Sequence, residues 1–452
     1  YRYFFFHPMP PENICNMQFY GTLKEPSIQG VDSMNVIGII AEYNPFHNGH
    51  IYQIETIRAK YPKARIIALM SGSFTQRGCP AILDKWQRAS HAVLSGIDLV
   101  LELPAAFAVR SAQNFAHGGV SLLSRLGVVD GLSFGAESPL AFLQCAADSS
   151  KRSDVQELLH AYVQKGHSYA AALSHAIAQS SGINEAFLKQ PNNILALEYL
   201  RALNCCATSI EPFAVARIGA AYHDEELHDT YASASSIRRE IQTAAPRRNL
   251  LAKVLPANSM EALFEAHTEE AIPEINLLFR PLLAQLEHHT LENLQEIYGI
   301  NEGFENRLLH AASHCLTMKE LLDECRSRRH PQSRIQRLIF HIMLHLRRQD
   351  IHEFDENGPL YARILAFNRA GKSLLHEIKQ KSSLPLISKT SHFLKDAALK
   401  YSPEKRTTLE NMLALDIHAT EVRRLCLPQI AKRGEDFQRS PLFISDKRKT
   451  PA

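Results

Sequence analysis

The sequence predicts an α/β protein: a Rossmann-like domain with a parallel sheet, followed by a mainly helical C-terminal domain. Three observations carry that prediction. An apolar run at 35–41 ends in a polar, glycine-bearing turn and is followed by Ile51, Ile54 and Ile57 at helical spacing. A second apolar run, 66–70, comes after that helix, giving the strand–helix–strand order of a parallel sheet. Past residue 245 strand signals largely stop, and Leu, Glu, His and Arg recur at helical spacing.

The elements follow in order. After Met70, the stretch Ser71-Gly72-Ser73-Phe74-Thr75-Gln76-Arg77-Gly78 is a polar loop where open α/β sheets bind ligands. Asp84 is placed to cap a helix that begins Lys85-Trp86-Gln87-Arg88. Residues 98–101 and 132–134 read as further strands, the second running into Gly135-Ala136-Glu137. Residues 140–190 read as a helical insertion, Pro191-Asn192-Asn193 opens another helix, and 214–217 reads as the next strand. The expected organisation is therefore a non-core extension over 1–33, a catalytic domain over 34–245 and a helical domain over 246–452. Met34 sits just before the first strand and is expected to be the true start; the extension before it carries Pro8, Pro10 and Pro11.

The chemistry is concentrated at His47-Asn48-Gly49-His50, an HxGH motif at the turn from first strand to first helix. A helix N-terminus offers unpaired N–H groups and the positive end of a dipole. Gly49 leaves room for close approach of a phosphate, and the two imidazoles add donors for the charge that builds as pyrophosphate leaves. Such a site grips ATP and supports in-line attack on the α-phosphorus without a covalent enzyme intermediate. Downstream, Ser233-Ala234-Ser235-Ser236-Ile237-Arg238 resembles the ISTSxIR stretch that closes the triphosphate site of HxGH nucleotidyltransferases.

Composition narrows the rest. The 452 residues are 45% hydrophobic and 21% charged, with a formal net charge of +3, so any nucleic-acid binding must rest on a local patch. The segment 326–348 supplies one, with Arg326, Arg328, Arg329, Arg334, Arg337, Arg347 and Arg348 and no acidic residue. It is either a solvated helix face or a phosphate-tracking surface for RNA. Eight scattered cysteines with no CxxC predict reduced thiols and a cytoplasmic protein, and no apolar stretch is long enough to span a membrane. His341 and His345 are four apart, but with no HExxH and no third ligand they read as packing or surface histidines.

The runs EYNPFHNGH, MSGSFTQRG-PA with DKW, DLVLELP, FGAE, PNNIL, ARIGAAYHD and SASSIR occur in the order found in bacterial tRNA(Met) cytidine acetate ligases, a family the chain resembles from Met34 nearly to its end. The resemblance implies activation of acetate by ATP as acetyl-adenylate, then acetylation of N4 of the wobble cytidine of elongator tRNA(Met), with Mg²⁺ accompanying ATP. It implies that Ile40, Ala41, Glu42, Tyr43, Asn44, Pro45, Phe46, His47, Asn48, Gly49, His50, Ile51, Tyr52 and Gln53 wrap the nucleotide, with Gly135, Asn192 and Arg217 also on ATP. His47, His50 and Arg238 are the expected catalytic residues, Ser235 and Ser236 close over the triphosphate, and Gln76 and Arg77 stand near acetate or phosphate. Arg326, Arg328, Arg329, Arg334 and Arg337 are the tRNA-binding candidates. Cys79 departs from the glutamate expected there in the family, which puts any carboxylate role at that position in doubt. The alternative reading is a cofactor-pathway adenylyltransferase acting on a phosphorylated small molecule. Metal ligands and oligomeric state are not legible.

Overall fold

In the computed structural model, residues 34–217, 230–301, 303–390, 397 and 400–445 are described. The extension 1–33, the YHD stretch at 222–224 and the basic tail at 446–449 lie outside them. Among the described residues, eight strands form one sheet: β1 (Val36–Ala41), β2 (Arg65–Ser71), β3 (Leu99–Leu103), β4 (Gly131–Ala136), β5 (Glu211–Ala216), β6 (Ala362–Phe367), β7 (Leu386–Ile387) and β8 (Leu442–Phe443). The order is β5-β4-β1-β2-β3-β6-β7, with β8 paired to β6. All neighbours from β5 through β3 are parallel; β6 pairs antiparallel with β3, and β7 and β8 run parallel to β6.

The parallel strands are apolar on both faces because helices cover both. In β2 the alternation is explicit: Ile66, Ala68 and Met70 enter one core layer while Ile67 and Leu69 enter the other. The strand order reverses between β1 and β4, since β2 continues on one side of β1 and β4 returns to the other. The crevice at the carboxyl ends of those two strands is where open α/β sheets bind ligands. Residues 140–190 hold helices Leu140–Ser149, Ser153–Gln164, Tyr169–Ser181 and Glu185–Leu188.

The C-terminal half corrects the expectation that strands stop near 245. Helices do dominate it, but β6, β7 and β8 extend the same sheet. The reason β6 hides in the sequence is Arg363, which interrupts an apolar run and is 4% exposed. Its charge is matched inside the protein: Arg363 reaches Glu102 of β3 at 3.2 Å and also Asp436, while Lys85 reaches the same two carboxylates at 2.9 and 2.7 Å. Two cations and two anions thus close a buried quartet that clamps residues near the C-terminus onto the sheet. Strands β7 and β8, at two residues each, are too short to give a periodic signal.

Among the described residues, Cys79, Cys205, Cys206, Cys315, Cys325 and Cys426 are free thiols. Among the described residues, no helix is long and apolar enough to cross a membrane.

Candidate active site

The HxGH turn leaves β1 and enters helix Asn48–Lys60 at the strand-order reversal. His47 is the N-cap: its Nδ1 accepts from the Gly49 N–H at 3.1 Å, while its own N–H donates to His50 Nδ1 at 3.1 Å. Both Nδ1 atoms are therefore acceptors, and the proton of each neutral ring sits on Nε2. The rings stack, with centroids 3.8 Å apart. Burial, followed by Arg217 and Arg238, lowers the His47 pKa to about 3; burial, His47 and Arg217 hold His50 well below its ordinary value. The result is a pair of neutral rings that donate from Nε2 without a positive charge of their own.

Gly49 is needed here for a reason beyond access. A Cβ at this position would lie 2.9 Å from His47 Cε1 and 3.1 Å from its Nδ1, so any side chain would push the capping ring aside. Tyr43 and Phe46 hold the other side of the pair, with ring centroids 4.8 and 5.2 Å from His50. Their side chains are fully enclosed, as is that of Asn44, whose Oδ1 accepts the Ile82 N–H at 2.7 Å. Asn48 turns its amide to the carbonyls of Thr230 and Lys253, at 3.2 and 2.8 Å, and so ties down the chain entering the serine-rich turn. Gln53 reaches Ser133 of β4 at 3.2 Å.

That turn supplies the second N-terminus, of helix Ala234–Ile241. Ser233 caps it by accepting from the Ser236 N–H at 3.1 Å, and the Ser236 hydroxyl donates back to the Ser233 carbonyl at 2.8 Å. Ser235 accepts from Arg238 Nη2 at 3.3 Å, and Arg238 Nη1 donates to the Asn44 carbonyl at 2.6 Å. Arg238 is thereby held beside the HxGH turn. Just past the end of β5, the exposed Arg217 donates to Asn192 Oδ1 at 3.2 Å. Asn192 also donates to Glu137, and the other Glu137 oxygen accepts from the Asn193 N–H at 2.9 Å. At Gly135 a Cβ would meet only the Arg217 stem, at 3.6 Å, so the protein itself leaves space there.

The assembly is two helix N-termini, two imidazole N–H donors and two guanidinium groups, which is the donor set for a polyphosphate. The HIGH Nucleotidyl Transferase family model matches residues 34–438. The tRNA(Met) cytidine acetate ligase of Thermoanaerobacter sp. (strain X514) is 37% identical over 409 residues, spanning 89% of this chain and 98% of that protein. The ligase of the same name from Acetivibrio thermocellus is 36% identical over 428 residues, spanning 91% and 100%. Two crystal structures of Thermotoga maritima TmcAL superpose over 91% of this chain and all of theirs: the apo form with TM-score 0.85 at 31% identity, and the form bound with alpha-thio ATP with TM-score 0.84 at 30%. The chain belongs to the tRNA(Met) cytidine acetate ligase family.

In this member of the ligase family, the QRG loop is built into the protein rather than left open. The Gln76 N–H donates to Glu42 Oε1 at 2.6 Å and its side chain donates to the Arg110 carbonyl at 2.7 Å. Arg77 is exposed at the loop's tip. Cys79 is half-buried and touches Gln336 Oε1 at 3.6 Å, and burial raises its thiol pKa against the pull of Arg238. Two residues escaped sequence reasoning. Arg88 is fully buried and donates to the Glu42 and Ser71 carbonyls at 2.6 and 3.1 Å, drawing together the loops that follow β1 and β2. Asn193, 1% exposed, accepts the Glu137 and Ser138 N–H groups at 3.0 and 3.1 Å and fixes the end of β4. Arg88 shares its helix face with Lys85 and Ala92 rather than with Trp86, Ala89 and Val93, so no local apolar stripe marked it; nothing distinguished Asn193 from Asn192.

The arginine-rich segment divides. Arg328 and Arg329 lie against the inserted helices, Arg328 on His167 Nε2 at 2.8 Å and Arg329 on the Gln164 carbonyl at 3.3 Å. Arg326 is exposed and reaches Gln332 at 3.1 Å; Arg334 braces the Arg329 carbonyl at 3.0 Å. Arg337 stands near Arg334 and Arg77, and burial lowers its pKa to about 10. Arg347 pairs with Asp350 at 3.1 Å, and Arg348 bonds the carbonyls of Gln295 and Ile300. The ring nitrogens of His341 face the Tyr298 and Val109 carbonyls at 3.1 and 2.9 Å, so this residue turns no lone pair toward His345. Among the described residues, three potential metal ligands come together at His310, His314 and Glu324, all exposed and on helices that contribute nothing to the phosphate site.

Proposed function

We propose that the protein is an ATP-dependent acetate ligase that acetylates N4 of the wobble cytidine of elongator tRNA(Met), a cytoplasmic reaction. In the first step an acetate oxygen attacks the α-phosphorus of ATP, the bond to the β-phosphate bridging oxygen breaks, and pyrophosphate leaves with acetyl-adenylate formed. In the second, the N4 amine attacks the acetyl carbonyl carbon, the bond to the phosphate oxygen of AMP breaks, and the nitrogen loses a proton. The cytosine amine is delocalised into its ring and weakly nucleophilic, which is why so good a leaving group is required. A base presented for this chemistry is splayed from the anticodon loop.

The observation that carries the reading is the pair of neutral imidazoles with Nε2–H donors at the strand-order reversal, flanked by Arg217 and Arg238. His47 and His50 would donate to the phosphates as charge develops, and Arg238 would supply fixed charge over the triphosphate. Arg217 and Asn192 would hold its other side, with Ser235 and the exposed N–H groups of its helix closing above. Mg²⁺ would arrive with ATP. The phosphate site offers N–H and guanidinium donors, Glu137 is engaged by Asn192 and Asn193, and Glu42 by Gln76, so no protein ligand is assigned to the ion and no step runs through it. We assign catalysis to residues 34–245 together with the strands returned from the C-terminal half, and RNA binding to the helical region beyond 245.

The test is transfer of label from acetate to tRNA(Met) with ATP present, ATP omitted, or acetyl-CoA supplied instead. ATP-dependent N4-acetylcytidine is the expected product. AMP transferred to a phosphorylated small acceptor, with no labelled RNA, would replace this reading by the adenylyltransferase one.

A further inference from the structure

A groove of about 430 Å³ lies far along the chain from the HxGH turn, where the loop after helix Ser153–Gln164 meets helix Phe304–His314 and the turn before helix Gln332–Met343. Its size is that of small-ligand pockets. Its chemistry is one-sided. Lys165, Arg307, Arg328 and Arg329 line it, and among the described residues no acidic side chain does. Lys165, Arg307 and Arg328 are exposed and Arg329 is half-buried, so the charge faces solvent.

The walls are held in place. Arg328 donates to His167 Nε2 at 2.8 Å, and Arg329 donates to the Gln164 carbonyl at 3.3 Å while Arg334 braces its own carbonyl at 3.0 Å. Gly166 has φ +86°, a backbone that favours glycine, and a Cβ there would come 3.0 Å from Arg329 Nε, so a side chain at this point would crowd the guanidinium. Phe304, stacked on His330 with centroids 4.7 Å apart, makes an enclosed floor and offers no ring face to a base. Four cations without an aromatic platform recognise phosphates rather than bases.

We infer that the groove between the inserted helices and the C-terminal helical region binds the phosphodiester backbone of RNA, holding the tRNA substrate away from the reacting base. This rests on the reading of RNA as the second substrate. Clustering matters because the chain's net charge is only +3, too small to attract a polyanion from all sides. The contacts would give affinity and register without sequence information, leaving identity to be read elsewhere.

The experiment measures tRNA(Met) binding by the full chain and by an Arg307→Ala/Arg328→Ala double variant across a salt series, with inorganic phosphate as a competitor. Acetate-dependent exchange of pyrophosphate into ATP is followed in parallel. The double variant should bind tRNA about tenfold more weakly, and its slope of log K against log salt should shrink by roughly 1–2. Pyrophosphate exchange should be unchanged, and Arg307→Lys/Arg328→Lys should restore the slope, which a merely misfolded variant would not. Affinity and slope equal to those of the native chain would overturn the inference, as would displacement of inorganic phosphate without any effect on tRNA. Absence of acetate-dependent exchange in the native chain would instead fault the ligase reading, while the salt slopes would still decide the groove.

Discussion

His50 holds two positions at once: its Nδ1 accepts the His47 N–H at 3.1 Å, and its ring packs on Tyr43 and Phe46. Its Nε2–H is the part left for chemistry. We expect His50→Ala to lower acetyl-adenylate formation by about 10²–10³, the usual loss when one preorganised donor is removed. The melting transition should survive, and pyrophosphate exchange near the native rate would refute the assignment. Gly49→Ala tests the neighbouring claim. Its Cβ would fall 2.9 Å from the His47 ring, so exchange should drop at least tenfold although no donor has been deleted. If activity is retained, the ring can move without consequence. At this scale the sequence spoke clearly of which residues matter and incompletely of why. HxGH announced His47, Gly49 and His50, but only coordinates reveal that the histidines cap one another and that the glycine makes room for a ring. Gln76 and Ser236 were named for ligand contact, and the structure engages their side chains with the Arg110 and Ser233 carbonyls.

The QRG loop depends on one element of the helical half. Gly78 has φ +79°, and a Cβ there would lie 2.6 Å from the Arg337 backbone nitrogen, in helix Gln332–Met343. Phe74, at the loop's base, packs on Phe340 of the same helix with ring centroids 4.4 Å apart. Gly78→Ala combines a left-handed backbone with a backbone collision and should cost about 2–4 kcal/mol. It should shift the denaturation midpoint and reduce exchange together. An unchanged midpoint would mean the loop is not docked on the helix. Elements were legible where local pattern and final environment agree: β1 and β2 are continuous apolar runs because both faces are covered. Strand β6 was not, because the partners that neutralise Arg363 are Glu102 and Asp436, remote in sequence on either side. No local window contains them.

Across the whole molecule, buried charge sets how the fold responds to mutation and to acid. Asp436→Asn would leave Lys85 and Arg363 with Glu102 as their remaining ion-pair partner, and breaking such a set by removing one partner costs about 3–5 kcal/mol. The variant should unfold at lower denaturant with its sheet and C-terminus lost together; independent transitions would show that the two halves do not share a core. The acid response follows from signs. Burial lowers His47 to about 3, and His91 and His341 to about 4. The unfolded chain therefore takes up protons near 6.5 that the folded chain refuses, and stability falls as pH drops below 6.5, by up to about 1.4 kcal/mol per unit for each histidine. Asp416 works against this. Burial raises its carboxyl to about 7, so between that value and the unfolded value near 4 the folded chain holds a proton the unfolded chain has released, and acidification through that window is stabilising. His50, also held well below its ordinary value, acts with these three, and together the histidines outweigh Asp416, so the melting temperature should be steady above neutrality and fall from pH 6.5 to 5. His91→Gln, which removes one titrating group, should make that fall shallower. Asp416→Asn keeps an acceptor for the Ala105 N–H, bonded at 2.7 Å in the native chain, but removes the opposing proton, and should make it steeper. A melting temperature that stays flat from pH 7 to 5 in all three proteins would show that these side chains are not buried in the way the fold requires.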